Sequence, residues 1–214
     1  MACPQCCGIE RVFDQKTAER ELSRYRRKGP EGSTRLLIDA LRAGGVEGLS
    51  LLDIGGGVGV IQHELFKAGI KAATDVDASS SYLAAARSEA ERLGHAGLTA
   101  FHHGNFVELA AEIGSADIVT LDRVICCYPD MQALVSLSAD RARRVYAVVF
   151  PRDGWLMDLA SFFGNLMLRL SRNQFRFFVH PTAQIEAILG ARGFERRSYR
   201  THGLIWQVIV FARA

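Results

Sequence analysis

The residues best suited to chemistry begin at position 51, where the chain reads LLDIGGGVG. Four glycines fall within five positions, directly after a short apolar run. A backbone without side chains can turn sharply and bring its N–H groups against a ligand. A helix that follows such a turn points its N-terminus at the same place. The stretch therefore predicts a ligand-binding loop between a strand and a helix.

The acid before this loop indicates the charge of the ligand. Asp53 stands two residues before the first glycine, where its carboxylate would repel a pyrophosphate but suit a ligand with an ammonium and a sulfonium. Val60 also stands where the dinucleotide fingerprint G-x-G-x-x-G needs glycine or alanine. The pattern favours a cationic nucleoside over a dinucleotide.

Polar residues recur at the ends of the next apolar runs. Asp77 can accept hydrogen bonds from both hydroxyls of a ribose, which requires that the ribose carry no phosphate. Asn105 can pair with the edge of an adenine while Phe106 covers the ring, and Asp122 ends a further run. Open α/β sheets bind ligands at the carboxyl ends of their strands, so we expect these side chains to meet there.

The elements that must position these residues alternate between strands and helices. Short apolar runs predict strands, and stretches with apolar residues three or four apart predict helices. Parallel sheets with helices on both faces show this alternation. The expected strands are 49–54, 71–77, 98–103, 116–122 and 144–150, and the expected helices cover 60–69, 79–94, 106–114 and 130–143.

The two ends of the chain depart from this alternation of strands and helices. The first 45 residues contain two helical patterns and no strand, whereas two β-rich runs at 194–201 and 204–213 form a hairpin through His202 and Gly203. We therefore predict a single α/β domain over 1–214, a doubly wound, mostly parallel, seven-stranded Rossmann-like sheet with an antiparallel C-terminal hairpin. Its expected parts are an N-terminal helical cap (1–45), a ligand-binding core (46–150), a substrate lid or insertion (151–180), and a C-terminal helix and hairpin (181–214).

The order of these motifs resembles a known family, the class I S-adenosylmethionine-dependent methyltransferases. LLDIGGGVG resembles the first motif of the family, ATDVDAS the second and HGNF the third, and ADIVTLDRVICCYPD resembles the fourth-strand motif. The resemblance covers roughly residues 33–150. A shorter likeness, RYRRKGPEGSTRLLIDAL before the glycine motif, points to the magnesium-protoporphyrin methyltransferase branch and to flat, hydrophobic substrates.

The resemblance implies S-adenosylmethionine as cofactor and assigns roles residue by residue. The glycine loop would line the methionine and ribose, Asp77 would hold the ribose, and Asn105 would hold the adenine, where the family more often has aspartate. A residue of the N-terminal cap, such as Tyr25, would contact the carboxylate of the ligand. The expected cofactor-binding residues are Tyr25, Asp53, Gly55, Gly56, Gly57, Gly59, Asp77, Ala78, Asn105, Phe106, Leu121 and Asp122.

Candidates for a general base come from the side where the acceptor should lie. His180, Asp122 and Tyr128 are the expected catalytic residues, although a base is required only if a proton masks the lone pair of the acceptor. The apolar, phenylalanine-rich stretch 154–178 is either core or a lid over an apolar acceptor, with a membrane-surface role ranking third. Cys126 and Cys127 are expected to line the pocket.

Composition narrows the class of protein further. A net charge of +3 and a pI near 8.7 are too mild to indicate a nucleic-acid partner. The stretch 154–170 is short for a membrane span and contains two charges, and the first residues have no apolar h-region, so no secretory signal is expected. The cysteine groups Cys3, Cys6, Cys7 and Cys126, Cys127 predict neither a disulfide framework nor a metal site. A cytoplasmic monomer or homodimer with reduced thiols is expected.

The sequence therefore predicts a methyltransferase that acts on a small, hydrophobic or aromatic acceptor. An NAD-dependent oxidoreductase and a non-catalytic protein that binds S-adenosylmethionine remain as alternatives.

Overall fold

The computed structural model describes residues 4–171 and 173–214. Its centre is a seven-stranded sheet with the strand order β3-β2-β1-β4-β5-β7-β6, parallel except at β7, which pairs antiparallel with both β5 and β6. The strands are β1 Ser50–Ile54, β2 Ala72–Asp77, β3 Thr99–His103, β4 Ala116–Asp122, β5 Ala142–Pro151, β6 Phe194–His202 and β7 Trp206–Arg213. This topology confirms the predicted doubly wound sheet with its C-terminal hairpin.

Helices cover both faces of the sheet. On one face, α3 and α4 pack with Leu37, Ile38 and Leu65 against the strands, and on the other, α7 and α9 pack with Leu134 and Ile185. The helices are α1 Pro4–Val12, α2 Gln15–Lys28, α3 Gly32–Ala43, α4 Val60–Lys67, α5 Ser80–Leu93, α6 Phe106–Leu109, α7 Met131–Ala139, α8 Trp155–Leu170 and α9 Thr182–Gly190. The chain is thus a three-layer α/β structure.

Short polar side chains fix where several helices begin. Asp14, Ser79 and Asp130 each accept a hydrogen bond from a backbone N–H in the first turn of α2, α5 and α7. Such caps satisfy donors that the helix itself leaves unpaired. At the other end of α5, Gly94 adopts a left-handed conformation that ends the helix. The serines at 79–81 and Gly94 thus mark the start and the end of α5, as the sequence predicts.

Three stretches depart from the sequence-based expectation. The helix expected over 130–143 ends at Ala139, and residues 142–143 already belong to β5. The helix predicted over 106–114 is regular only through Leu109, and the chain then continues as turns that still bury Ala110 and Ile113. The apolar spacing therefore reflects burial rather than helix length. At the N-terminus, Pro4–Val12 forms a helix that no sequence pattern predicted.

The segment after β5 consists of α8 followed by an irregular stretch that runs back to α9. Among the described residues, no helix combines the length and the apolar character needed to cross a bilayer.

Candidate active site

A cavity of roughly 340 Å³ opens at the carboxyl ends of β1, β2 and β4. The N-terminal helices close it from above and the stretch after α8 closes one side. The charged side chains that line it are Glu21, Asp77, Asp122 and Arg123. The other principal lining residues are Ile9, Phe13, Ile54, Gly55, Gly57, Val76, Ala78, Tyr82, Asn105, Phe106, Val124, Cys126, Cys127, Tyr128, Phe175, Phe177 and Trp206.

Asp77 holds the glycine loop in place at this edge. Its Oδ2 accepts a hydrogen bond from the backbone N–H of Gly57 at 3.0 Å, and its Oδ1 accepts one from Ser79 N–H at 2.7 Å. Gly55 and Gly57 have φ angles of 66° and 60°, which side chains other than glycine rarely adopt. Burial raises the pKa of Asp77 to about 6, and the two N–H donors oppose that rise. A buried carboxylate thus faces the cavity beside the loop.

Asp53 lies beneath the loop instead of facing the cavity. It is fully buried on the face of the sheet that α4 covers, where its Oδ1 accepts a hydrogen bond from Thr120 Oγ1 at 2.6 Å and its Oδ2 lies 3.5 Å from Gln62 Nε2. The neighbouring strand places Asp75 beside it in register, also fully buried. A Cβ on Gly56 would lie 2.6 Å from Asp75 Oδ1, so Gly56 leaves room for this acid.

The paired acids make stability depend on pH. Burial raises the pKa of Asp53 to about 7 and that of Asp75 well above its usual 3.8. Each acid binds more protons in the folded state than in the unfolded state above pH 3.8, so its contribution to stability is full below that pH and is lost as the pH rises through its folded pKa.

We therefore expect Asp75→Asn to become more stable relative to the wild type as the pH rises from 4 toward 8. Urea unfolding at stepped pH measures this difference. Asp117→Asn is the control, because hydrogen bonds from Ser50 lower the pKa of Asp117 below 3.8, so its stability relative to the wild type should stay nearly constant over the same pH range. Parallel curves for the wild type and Asp75→Asn would contradict the assignment.

Asn105 and Tyr128 form a polar pair on the far side of the cavity. Asn105 Nδ2 donates to the Tyr128 hydroxyl at 3.1 Å and to Glu108 Oε1, while its Oδ1 accepts from Val107 N–H and caps α6. The second lone pair of Oδ1 is left for an amine donor. Phe106 is buried next to it and lines the cavity.

Asp122 and Arg123 end β4 at the mouth of the cavity. Asp122 Oδ2 accepts a hydrogen bond from Thr34 Oγ1, and Asp122 Oδ1 lies 3.2 Å from Arg123 Nε. Arg123 has a φ of 62°, in the left-handed region that few residues with a Cβ occupy. Such strain is often found at functional sites. The carboxylate of Asp122 raises the pKa of Arg123, which keeps its charge at the mouth.

Several predicted residues lie outside the cavity lining. Leu121 is buried in the core. Tyr25 donates its hydroxyl to Glu64 at 2.9 Å, and Gly59 packs against His63 on α4. His180 Nε2 lies 2.9 Å from the backbone oxygen of Tyr128 and donates its proton there, so this nitrogen holds the loop behind Tyr128 rather than facing an acceptor.

The structure also adds residues that the sequence did not single out. Ile9 and Phe13 come from α1 and the turn after it, Glu21 from α2, and Trp206 from the start of β7. Phe13 packs edge-on against Phe175, with ring centroids 6.0 Å apart. Tertiary contacts between distant segments bring these residues together, and no motif in the sequence marks them.

Comparison with known proteins finds a family match for the central part of the chain. Residues 52–144 match the family described as a methyltransferase domain. This stretch is a methyltransferase domain. It contains the glycine loop, Asp77, Asn105 and Asp122. Among curated protein sequences, none matches the chain.

Solved structures of methyltransferases share the fold of this chain. Magnesium protoporphyrin IX methyltransferase from Synechocystis PCC 6803 with bound S-adenosylhomocysteine is 22% identical, with a TM-score of 0.69 over 91% of this chain and 95% of that one. An O-methyltransferase family protein from Burkholderia thailandensis is 16% identical, with a TM-score of 0.71 over 96% of this chain and 63% of that one. An O-methyltransferase family 2 protein from Planctomyces limnophilus in complex with apigenin is 14% identical, with a TM-score of 0.65 over 94% and 62% of the two chains.

The matched domain supports the predicted S-adenosylmethionine-dependent methyltransferase, and neither the oxidoreductase nor the non-catalytic alternative is favoured. The residues present fit this cofactor. Asp77 offers oxygens to hydroxyl donors, the three lining acids suit the ammonium and the sulfonium, and Arg123 suits the carboxylate. The apolar side chains of Ile54, Val76 and Phe106 can enclose the adenosine.

Proposed function

We propose that this methyltransferase acts on a small acceptor with a flat, hydrophobic or aromatic body. The observation that carries the proposal is the division of the cavity into two parts. Asp77, Asp122 and Asn105 gather at the strand ends, whereas Ile9, Phe13, Phe175 and Phe177 form an apolar wall. An apolar wall with few polar groups is typical of pockets for small molecules.

Cofactor residues are part of the same proposal. Asp77 binds the ribose, Asn105 and Phe106 bind the adenine, and Asp122 binds the amino group. Gly55, Gly57 and Ala78 allow close approach of the backbone, while Asp53, Gly56 and Gly59 support the loop from beneath. Arg123 binds the carboxylate in place of Tyr25, which hydrogen-bonds to Glu64 away from the cavity lining.

S-adenosylmethionine supplies a methyl group that its sulfonium has already made electrophilic. The protein then has to align the acceptor and exclude water, which are large effects in catalysis. The aromatic side chains of the wall do both. The Tyr128 hydroxyl accepts a hydrogen bond from Asn105, and Tyr128 lines the cavity, so we propose that it orients the acceptor. His180 positions Tyr128 through its backbone, and Asp122, one of the three acids that line the cavity, could take a proton from the acceptor.

The names of two structural neighbours support a flat acceptor. The Synechocystis protein is named for a porphyrin, and the Planctomyces protein was crystallised with apigenin. We would therefore assay transfer from labelled S-adenosylmethionine to porphyrins, flavonoids, quinones and simple phenols, with glycine and sarcosine as small polar controls. Transfer to the polar compounds alone would contradict the proposal.

Within that assay, Phe177→Ala is expected to raise the KM for the acceptor about tenfold, because an aromatic contact in a pocket is worth on the order of 1.5 kcal/mol. Its dissociation constant for S-adenosylhomocysteine should stay unchanged. Phe163→Ala is the matched control, since Phe163 is exposed on α8 and does not line the cavity. Equal effects of the two variants on KM would place the acceptor elsewhere.

A further inference from the structure

Helix α8 presents an unusually apolar surface to solvent. No residue of the helix is buried, and Trp155, Phe162 and Leu170 are 73%, 63% and 72% exposed. The exposed large apolar side chains of this outer face are Trp155, Leu156, Leu159, Phe162, Phe163, Leu166, Met167 and Leu170. On the surface of a protein in aqueous solution, a contiguous apolar patch of this kind marks an interaction site.

The inner side of the helix is the polar one. Ser161 Oγ donates to the backbone oxygen of Phe177 at 3.0 Å, and Asn165 Nδ2 donates to the same oxygen at 2.7 Å. Asn165 Oδ1 in turn accepts from Phe177 N–H at 2.8 Å. A surface helix normally turns its apolar stripe toward the core. Here the hydrogen bonds hold the helix with that stripe facing outward.

The width of the outer face indicates what covers it. At 100° per residue, the eight apolar side chains occupy an arc of roughly 140°. A single partner helix, as in a dimer of this chain through α8, covers a narrower seam of about two residues in seven. A lipid surface covers the whole arc, because the acyl chains adapt to its shape. Tryptophan, phenylalanine and leucine are also the side chains that interfacial helices immerse.

Charges around the outer face favour an anionic surface. Arg152 precedes the helix and Arg169 lies in its last turn, and both are exposed. Of the nearby acids, Asp153 is turned toward α9, where its carboxylate accepts from Thr182 N and Oγ1 at 3.0 and 2.8 Å. Asp158 is the acid within α8. The exposed arginines at the two ends therefore suit phosphate headgroups.

We propose that the outer face of α8 docks the enzyme on lipid bilayers that contain anionic headgroups. The helix lies in the plane of the interface rather than across it, since its sixteen residues span about 24 Å, short of the roughly 30 Å hydrocarbon core, and include Asp158 and Arg169. The docking surface does not depend on which acceptor fills the cavity.

Flotation of the full chain with vesicles tests the proposal. The protein should float with vesicles of phosphatidylcholine and phosphatidylglycerol in equal parts, and less with phosphatidylcholine alone. Phe162→Ser combined with Phe163→Ser should weaken binding at least tenfold, since both side chains leave the interface. Leu98→Ser is the control, because Leu98 is exposed just before β3 and is not part of the outer face. The control variant should bind as the wild type does.

Three further measurements decide between lipid and protein. Trp155 fluorescence should shift to the blue on adding anionic vesicles, and Trp155→Phe should remove the shift while Trp206 remains. Arg169→Gln should weaken binding to the anionic vesicles about fivefold and leave binding to phosphatidylcholine unchanged. Light scattering should give the same mass for the wild type and for the variant that combines Phe162→Ser with Phe163→Ser. Failure to bind any vesicle, or an oligomer that the phenylalanine substitutions dissociate, would overturn the proposal.

Discussion

Replacing Gly55 with valine is expected to abolish binding of S-adenosylhomocysteine, at least a hundredfold loss of affinity by calorimetry. Gly55 has a φ of 66°, and a Cβ there would lie 2.4 Å from Val124 Cγ2. A β-branched residue in this conformation costs on the order of 1–3 kcal/mol of strain before the clash is counted. The loop must then move away from the position in which its N–H groups reach the ligand.

Gly114→Val is the matched control for this variant. Gly114 lies in the exposed loop before β4, has no positive φ, and would place its Cβ in open space. It should bind the ligand as the wild type does, and both variants should retain the far-UV spectrum of an α/β protein. An unaltered dissociation constant for Gly55→Val would show that the cofactor does not contact the glycine loop.

The second large effect is expected from Asp77→Ala, which should weaken binding of S-adenosylhomocysteine about ten- to a hundredfold. The substitution removes charge-assisted hydrogen bonds to the ligand, worth roughly 1.5–3 kcal/mol. It also releases the N–H groups of Gly57 and Ser79 that the carboxylate now holds. Asp39→Ala, on the exposed side of α3, is the control, and thermal unfolding monitors the fold of both.

The pH dependence separates the charge of Asp77 from its supporting role. The pKa of Asp77 is raised to about 6, and the ionised form is the better acceptor for ribose hydroxyls. Affinity of the wild type should therefore fall as the pH decreases through 6, whereas the affinity of Asp77→Ala should change little over the same range. If both proteins show the same pH profile, the ribose is held by another residue.

The arrangement of the sheet could be predicted because the local sequence pattern indicates each strand. The apolar runs ending at Ile54, Asp77 and Asp122 are bounded by glycine or polar residues, and the helices between them have their own caps. Parallel strands bring their carboxyl ends to one edge, so Asp77, Asn105 and Asp122 were expected near each other, and they line the same cavity.

The direction of a side chain was harder to predict. A strand buried on both faces shows no alternation of polar and apolar residues, so nothing local indicated that Asp53 faces α4 and Thr120. Contacts across the chain were harder still. Phe13 and Trp206 reach the cavity from opposite ends of the sequence, and His180 was expected to face the acceptor, whereas it binds the backbone of Tyr128.

The pair of hydrogen bonds between Asn165 and the backbone of Phe177 has a thermodynamic consequence. These hydrogen bonds tie α8 to the residue whose ring lines the cavity, so a shift of the helix on docking would move that ring and couple acceptor binding to contact at the outer face. Such coupling is reciprocal, so a surface that tightens acceptor binding by some factor is itself bound more tightly, by that factor, when the acceptor is in place. If docking tightens acceptor binding, the enzyme would leave the surface more readily once the cavity empties.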